Sequence, residues 1–451
     1  MNWLSYLPAF ALLLGIVVVI HELGHFWVAK WCGVKVLRFS VGFGKPILSK
    51  RFGPDQTEWA LGAFPLGGYV KMLDEREAPV AQTEQNRAFN RQPVAKRIAI
   101  VVAGPLANLL LAIVLFWGLF IVGLPGVKPI LGEIVKDSAA QNAGFVSGEK
   151  IVAVDGDPIQ TWHEVGWAFT TRLASNQTIA VTTEDSAGQR RERILDTKGI
   201  GDQDLENDVL AKLGLNRVRP GVQIVEVIPA SPALRAGLVA GDEVISIESK
   251  PVTDGVRQFI GIIQVSVAKP LEVEVDRNGA IIRLNVIPEA APGNASKVGM
   301  IGAKVGEVDQ PEFRAVASYS PFLSLTKSIS KTWDMSWLSL KSLGRMLIGE
   351  MSIKNLSGPV TIANYAGQTA QMGLMQFISF VAVISISLGI LNLLPIPLLD
   401  GGHLMYYIAE IIKGSPVSER IMEAGQQVGL ALLIGLMVIA FYNDINRLIT
   451  G

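Results

Sequence analysis

The chain has almost no cysteine and no excess of basic over acidic residues. Cys32 is the single cysteine in 451 residues, so no intramolecular disulfide can form. Lys plus Arg (40) equal Asp plus Glu (40), which gives a formal net charge of 0. Because a balanced chain offers no strongly basic surface to a phosphate backbone, we expect no nucleic-acid partner.

Charge is also missing from four long stretches, namely residues 3–20, 98–124, 372–399 and 424–443. Each is near the ~20 residues that a helix needs to cross the hydrocarbon core of a bilayer. The mean hydropathy of +0.37 is high for a soluble protein. The first stretch has no basic residue before it and no clear small-residue cleavage site, so we do not expect a signal peptide. The sequence predicts four spans in a lipid bilayer.

Histidine is scarce, with four in the chain, yet two of them lie in the first apolar stretch as His21-Glu22-Leu23-Gly24-His25. Residues four apart share a helix face, so His21 and His25 can bind one metal ion, while Glu22 can take a proton from water there. A lone buried histidine is more often a hydrogen-bonded core residue. At membrane depth, however, such ionisable groups are costly and indicate a function. The motif predicts a metal-dependent hydrolase.

A catalytic zinc site uses three protein ligands, so one more is needed. The third stretch ends in Asn392-Leu-Leu-Pro-Ile-Pro-Leu-Leu-Asp400-Gly-Gly-His403, where the prolines cannot continue a regular helix. We expect Asp400 to be the third ligand. His403 competes for this role, but the two glycines suggest that the chain turns away before it. Ligand type favours zinc and leaves iron or cobalt open.

The basic residues predict the orientation. Residues 30–97 contain twelve Lys or Arg against six Asp or Glu, whereas no basic residue precedes the first stretch. By the positive-inside rule this loop is cytoplasmic, both termini face the other side, and the long region 125–371 is outside. The metal motif then lies near the cytoplasmic end of its span.

The outer region contains a repeat with an offset of 93 residues. Ser138, Ala143, Gly144, Val146 and Gly148 recur as serine, alanine, glycine, valine and glycine without a gap. A short helix, a glycine turn and an apolar strand fit each copy, and this pattern resembles the PDZ domains of bacterial proteases. Such modules add a peptide to a sheet as an extra strand, although spacing or occluding the membrane core is an equally good role.

Two further segments carry a periodic pattern. Leu37, Phe39, Val41 and Phe43 alternate with other residues, which predicts a β-hairpin. In 311–349, apolar residues at three- and four-residue steps with interspersed lysines predict one or two amphipathic helices, which lie on the membrane surface or pack against the modules.

Taken in order, these motifs resemble the site-2 protease family of intramembrane zinc metalloproteases. The resemblance rests on His21 to His25, on Gly104-Pro105-Leu106-Ala107-Asn108, and on the stretch from Asn392 to Gly401. It implies a zinc metalloendopeptidase with zinc on His21, His25 and Asp400 and with Glu22 as the base. It also implies substrate-binding roles, which fall on Asn392, Gly42, Gly44, Pro395 and Pro397.

The resemblance further implies the substrates. They are single-pass membrane proteins, including an anti-sigma factor after a first outer-side cut, and remnant signal peptides, within the envelope stress response. The location implied is the bacterial inner membrane, with periplasmic PDZ domains that receive a peptide or a substrate ectodomain. One alternative is a non-enzymatic membrane PDZ receptor with a structural metal. Another is a zinc transporter, which would need polar residues across the bilayer that the spans lack.

The expected fold is therefore a multi-domain membrane protein, with a four-transmembrane-helix metalloprotease core, a membrane-associated β-hairpin and two tandem PDZ domains of mixed α/β, mainly β, structure. The expected order is a first span at 1–30, a cytoplasmic hairpin loop at 31–97, a second span at 98–124, PDZ domains at 125–220 and 221–310, amphipathic helices and a linker at 311–371, a third span at 372–399, a cytoplasmic loop at 400–423, a fourth span at 424–443 and a tail at 444–451.

Overall fold

The chain forms two compact units. A computed structural model describes residues 6–173, 178–198, 200, 209–252, 255–290, 298–308, 310–353 and 356–450. The first unit joins Met1–Leu124 with Ser318–Gly451, and the second is Pro125–Ala317. The second unit is thus an insertion within the first.

The helices of the described residues are α1 (Leu7–Trp31), α2 (Val94–Val122), α3 (Ala139–Asn142), α4 (Trp162–Leu173), α5 (Val209–Lys212), α6 (Pro232–Arg235), α7 (Gly255–Val265), α8 (Pro321–Leu347), α9 (Pro359–Met372), α10 (Leu374–Leu393), α11 (Asp400–Lys413) and α12 (Glu419–Thr450). The strands are β1 (Val36–Phe52), β2 (Thr57–Met72), β3 (Leu124–Val127), β4 (Lys150–Val154), β5 (Asp157–Pro158), β6 (Thr178–Glu184), β7 (Arg190–Asp196), β8 (Val222–Val227), β9 (Glu243–Ile247), β10 (Lys250–Pro251), β11 (Leu271–Arg277), β12 (Ala280–Val286), β13 (Glu289–Ala290), β14 (Gly299–Met300), β15 (Ala303–Glu307) and β16 (Arg314–Ala317).

Helices α1, α2, α10 and α12 are, within the described residues, long and apolar enough to cross a membrane. The four predicted spans therefore exist as helices. The third is shorter than expected, because α10 ends at Leu393 and Leu394 is already extended ahead of Pro395. Leu398 has φ +92°, a strained backbone for a leucine. The segment 400–423, expected to be a loop, instead contains helix α11.

Glycines allow the spans to approach closely. A Cβ at Gly24 of α1 would lie 2.3 Å from the Ala103 carbonyl oxygen of α2, and one at Gly389 of α10 would lie 3.0 Å from the Pro105 carbonyl oxygen. Since lipid gives apolar helices no hydrophobic reason to associate, backbone contact of this kind is a main source of attraction.

Strands β1 and β2 both fold back on themselves, so the predicted hairpin is a small four-stranded sheet. Ser40 pairs with Ala60 on one side and with Tyr69 on the other. Residues 46–52 pair with 57–62 and form one edge, and residues 68–72 form the other. Gly42 and Gly44 have φ of +90° and +89°, which a side chain would strain, and they allow β1 to bend.

The second unit holds two similar modules, as the repeat predicts. In the first, the strands run β5-β4-β6-β7, and in the second they run β12-β11-β9-β8-β15 with β10 beside β9. Short helices α3 and α6 begin at Ser138 and Ser231, whose hydroxyls accept hydrogen bonds from the amides three residues later. Each module has its own apolar core.

Helix α8 buries polar side chains and exposes large apolar ones, which is the reverse of what a helix in a water-soluble protein does. Its buried face consists of small hydroxyl residues at every fourth position, namely Ser324, Ser328, Thr332 and Ser336. The helix packs on α2. Phe322, Trp333 and Trp337 are 78%, 69% and 59% exposed. Large apolar side chains outside and small hydroxyls inside are typical of a helix that faces lipid.

Candidate metal centre

Helix α1 brings His21 and His25 to one face, as their spacing predicts. Their Nε2 atoms lie 3.2 Å apart, and both side chains are less than 10% exposed. The first turn of α11 supplies Asp400, whose Oδ2 lies 3.2 Å from Nε2 of His21 and 3.4 Å from Nε2 of His25. A carboxylate is favoured in this first turn by the helix dipole.

These three atoms fit one zinc ion. Zinc with four ligands and bonds of about 2.0–2.2 Å holds its ligand atoms about 3.3–3.6 Å apart, close to the separations of these three atoms. Oδ2 of Asp400 is buried and has no hydrogen-bond partner in the described part of the chain. Such a buried acceptor is costly unless a metal or a proton engages it. Among the described residues, His21, His25 and Asp400 form the cluster that could hold a metal.

Backbone and side-chain groups of α2 hold both imidazoles. Nδ1 of His25 donates to the carbonyl oxygen of Ile100 at 2.8 Å, which leaves Nε2 to bind a metal. Nδ1 of His21 lies 3.2 Å from Nδ2 of Asn108. Gly104 lies directly against the pair, since a Cβ there would come within 2.2 Å of Nε2 of His25.

Glu22 is buried beside the cluster, at 9% exposure. It lines a cavity of about 600 Å³ together with His21, His25 and Asp400. Strand residues Gly68, Tyr69 and Val70, from the free edge of the small sheet, line the same cavity. The arrangement places three side chains that could bind one metal ion, one buried carboxylate and one strand edge around a single space.

The predicted substrate-binding residues divide into two groups. Asn392, near the end of α10, lines the cavity. Gly42, Gly44, Pro395 and Pro397 are absent from the described lining, so the structure does not bring them to the cavity. The glycines allow the bend in β1. Pro397 packs on α12 instead, where a Cβ at Gly429 would lie 2.1 Å from its carbonyl oxygen.

The expectation that the chain turns away before His403 is wrong. Gly401 and Gly402 continue α11, because Cβ atoms there would lie within 2.5 Å of carbonyl oxygens of Leu394 and Ile396, and glycine avoids those clashes. His403 therefore follows Asp400 by one turn and lines the cavity. It is outside the described metal cluster.

Sequence reasoning missed two further polar residues that line the cavity, Asp74 and Arg76. Nε and Nη2 of Arg76 donate to the two Asp74 oxygens at 2.9 and 2.5 Å. Burial would raise the pKa of the Asp74 carboxyl, but the hydrogen bonds from Arg76 outweigh it and lower the pKa below its usual 3.8. No motif marked this pair, since it depends on the β2 edge reaching the cavity.

Apolar helices long enough to cross a membrane, together with two imidazoles and two carboxylates at one buried point, are features of the metalloprotease class. The family model described as Peptidase family M50 matches residues 9–436. The chain belongs to this family and is a zinc metalloprotease.

Several relatives match over their full length. Regulator of sigma-E protease RseP of Escherichia coli (strain K12) is 39% identical, over 99% of this chain and 100% of the relative. Protease RseP of Yersinia pestis is 38% identical over the same shares. A Vibrio cholerae protein described as a zinc metalloprotease is 39% identical, over 98% of each. A solved PDZ domain from Listeria monocytogenes covers 20% of this chain and 92% of its own at 19% identity, but its TM-score of 0.18 is too low to bear on the fold.

Proposed function

We propose that this protease cleaves transmembrane segments of single-pass membrane proteins. The observation that carries the proposal is the meeting of His21, His25 and Asp400 beside buried Glu22, with both histidines and Glu22 on a helix apolar enough to span a bilayer. A water-soluble substrate would not require the peptidase site to be built from such helices.

His21, His25 and Asp400 would hold zinc, which when bound supplies Lewis-acid activation of water and of the scissile carbonyl. Glu22 accepts a proton from the attacking water and returns it to the leaving amine. Burial of Glu22 keeps bulk water from competing for this proton.

Substrate positioning is proposed for the free edge of the small sheet. A helical segment hides its carbonyl groups in its own hydrogen bonds, so it must become extended before hydrolysis. Gly68, Tyr69 and Val70 offer main-chain groups at the cavity, where an extended segment would add as a strand. Asn392 would hold the backbone of the same segment from the opposite side. The sheet itself would dip into the membrane.

The two modules of residues 125–317 are proposed to be periplasmic PDZ domains of an inner-membrane protein. They would bind a peptide or a substrate ectodomain and exclude substrates that have not been cut outside. Because the Escherichia coli relative is named a regulator of sigma-E, an anti-sigma factor after its first cut is the proposed substrate, within the envelope stress response. Remnant signal peptides are a second group.

The base assignment is tested with Glu22→Gln in the purified full-length protein. We expect zinc content to stay at the wild-type level while cleavage of a tagged transmembrane substrate slows by about 10²–10⁴-fold, the usual contribution of a general base. Glu84→Gln is the matched control, because Glu84 pairs with Lys35 away from the cavity. Unchanged cleavage in Glu22→Gln would remove Glu22 from this role.

Metal removal tests the enzyme against the receptor alternative. A zinc chelator should abolish cleavage by the wild-type protein, and added zinc should restore it. A receptor with a structural metal would show no cleavage under either condition.

A further inference from the structure

We propose that Asn108 is a positioning residue that selects the tautomer of His21 and thereby sets how tightly His21 binds the metal. This inference rests on the proposed metal ligands. It concerns a side chain of α2 that touches the imidazole and lies outside the set of three ligand atoms.

The geometry at Asn108 is well defined. Its side chain is fully buried, and Nδ2 lies 3.2 Å from Nδ1 of His21. Ser385 of α10 donates from Oγ to the backbone carbonyl oxygen of Asn108 at 2.8 Å, and this hydrogen bond does not involve the side-chain amide. Oδ1 of Asn108 is buried without a hydrogen-bond partner in the described part of the chain. Asn108 thus has one amide atom engaged by His21 and one amide atom unsatisfied.

The chemistry of the imidazole decides which amide atom must face it. Nε2 of His21 points to His25 and Asp400, so this nitrogen needs its lone pair to bind a metal. The proton of the neutral ring must then lie on Nδ1, which becomes a donor. Only an acceptor can stabilise that tautomer. Oδ1 of Asn108 reaches the position of Nδ2 by a half-turn of the amide within the same volume.

The neighbouring ligand shows the contrast. Nδ1 of His25 faces the carbonyl oxygen of Ile100 at 2.8 Å, and a carbonyl oxygen can only accept. His25 is therefore held in the ligand tautomer by the backbone, whatever the side chains do. His21 depends on an amide that can accept or donate. Asn108 consequently controls the tautomer of His21, which, unlike that of His25, is not fixed by a backbone carbonyl group.

The test measures zinc affinity of the full-length protein by competition with a chromophoric chelator, without reference to activity. Asn108→Leu keeps the side-chain volume but removes the acceptor, and we expect zinc binding to weaken by about 10–100-fold, as is usual for the loss of a ligand's hydrogen-bond partner. Asn108→Asp keeps an acceptor and should remain within about threefold of wild type. Asn108→Ala, which also lacks the acceptor, repeats the test should the leucine variant fail to fold.

The control and the contradicting outcomes are distinct. Ser385→Ala removes the neighbouring hydrogen bond but not the acceptor, and it should bind zinc like wild type. Wild-type zinc affinity in Asn108→Leu would overturn the inference, as would weaker binding by Asn108→Asp than by Asn108→Leu. If His21→Ala weakens zinc binding while Asn108→Leu does not, this inference alone fails. If His21→Ala has no effect, the proposed ligands fail as well.

Discussion

At the scale of the residue, the absence of a side chain at Gly104 leaves room for the proposed metal ligands to meet. It lies on α2, and its missing side chain leaves the space in which the two imidazoles lie. A Cβ there would be 2.2 Å from Nε2 of His25 and 2.8 Å from Nε2 of His21, both far inside contact distance. The histidines would have to move off the shared point to avoid it.

Gly104→Ala is therefore expected to weaken zinc binding by at least about tenfold, because misplaced ligands lose more than 1.4 kcal/mol of binding free energy. Zinc content after dialysis against a weak chelator measures the effect. Gly118→Ala on the same helix is the control, since a Cβ there meets no described atom within 4 Å. Equal zinc retention by both variants would contradict this account of Gly104.

Functional residues of a chemically unusual type could be found from the sequence. Residues that matter only because of what they contact in the folded chain could not. His21, Glu22, His25 and Asp400 were predicted because few other roles suit such groups in an apolar segment. Gly104 and Asn108 belonged to a motif of the resemblance, yet nothing in the sequence indicated that they contact the imidazoles. Gly42 and Gly44 were given a substrate role, although their positive φ points to a bend in β1.

At the scale of the element, a buried ion pair holds α11 against α2. Nη2 of Arg97 donates to Oε1 of Glu410 at 2.7 Å, and its guanidinium lies 4.8 Å over the ring of Tyr407. Both charged side chains are at most 13% exposed. Since Asp400 begins α11, this pair also orients the third proposed ligand.

Glu410→Ala should lower the free energy of unfolding by about 3–5 kcal/mol, because it leaves the Arg97 charge buried and unpaired. The double variant Arg97→Leu with Glu410→Leu should lose much less, since neither charge remains. Thermal and denaturant unfolding in detergent measures both. A single variant as stable as wild type, or a double variant worse than the single, would show that the pair does not hold α11.

A second ion pair is expected to make the second module sensitive to acid. In the second module, Arg277 donates to both oxygens of the fully buried Asp242, at 2.7 and 2.8 Å. Burial would raise the pKa of Asp242, but the bonds from Arg277 and from the Val239 amide lower it below its usual 3.8.

A lowered folded-state pKa adds stability that is present above the unfolded-state pKa of about 3.9 and is lost as the pH falls through the folded value. The second module should therefore lose stability below about pH 4. Asp242→Asn should reduce this loss of stability at low pH, which hydrogen exchange of β8 to β12 in the full chain measures. The control variant Glu226→Gln, at an exposed position, should lose stability at low pH as wild type does. The same acid slope in Asp242→Asn as in wild type would exclude Asp242 as its source.

Elements that show a long apolar stretch or a clear alternation of apolar residues were predictable from the sequence, while α11 was not. The apolar stretches predicted α1, α2, α10 and α12, and the alternating residues predicted strands near Val41. The segment of α11 was predicted to be a cytoplasmic loop between two spans, and Gly401 and Gly402, which are poor helix formers, were predicted to turn the chain away before His403. Their use follows from close packing on the Leu394 and Ile396 carbonyl groups, which only the tertiary structure shows.

At the scale of the whole molecule, the chain leaves the first unit and returns to it at two points that lie close together. The Tyr319 amide donates to the Phe120 carbonyl oxygen at 3.0 Å, and the two rings meet edge to face. Strands β3 and β16 pair where the insertion begins and ends. Domains with neighbouring ends tolerate removal, because a short linker can span the gap.

A variant with residues 125–317 replaced by a short Gly/Ser linker should fold and bind zinc like wild type. It should also cleave a substrate that still carries its full ectodomain, whereas the full chain should cleave only the trimmed substrate. Paired cleavage assays with both substrates check this. The same preference in both proteins would show that the inserted modules exclude nothing.

The order of segments was predictable, because hydropathy and the 93-residue repeat depend on the chain alone. The number of spans and the presence of two similar modules follow from that order. The adjacency of Phe120 and Tyr319 did not, since nearly two hundred intervening residues separate them in the sequence.

The two modules carry a carboxylate at the same position of the repeat, but the arginine that pairs with it comes from a different strand in each. Glu149 and Asp242 are 93 residues apart, and each accepts a hydrogen bond from the amide three residues earlier, of Val146 and Val239. Their arginines come from different strands, Arg193 from β7 and Arg277 from β11. If both modules descend from one duplicated ancestor, the acid that closes the turn was kept, while the cation was recruited anew in at least one copy.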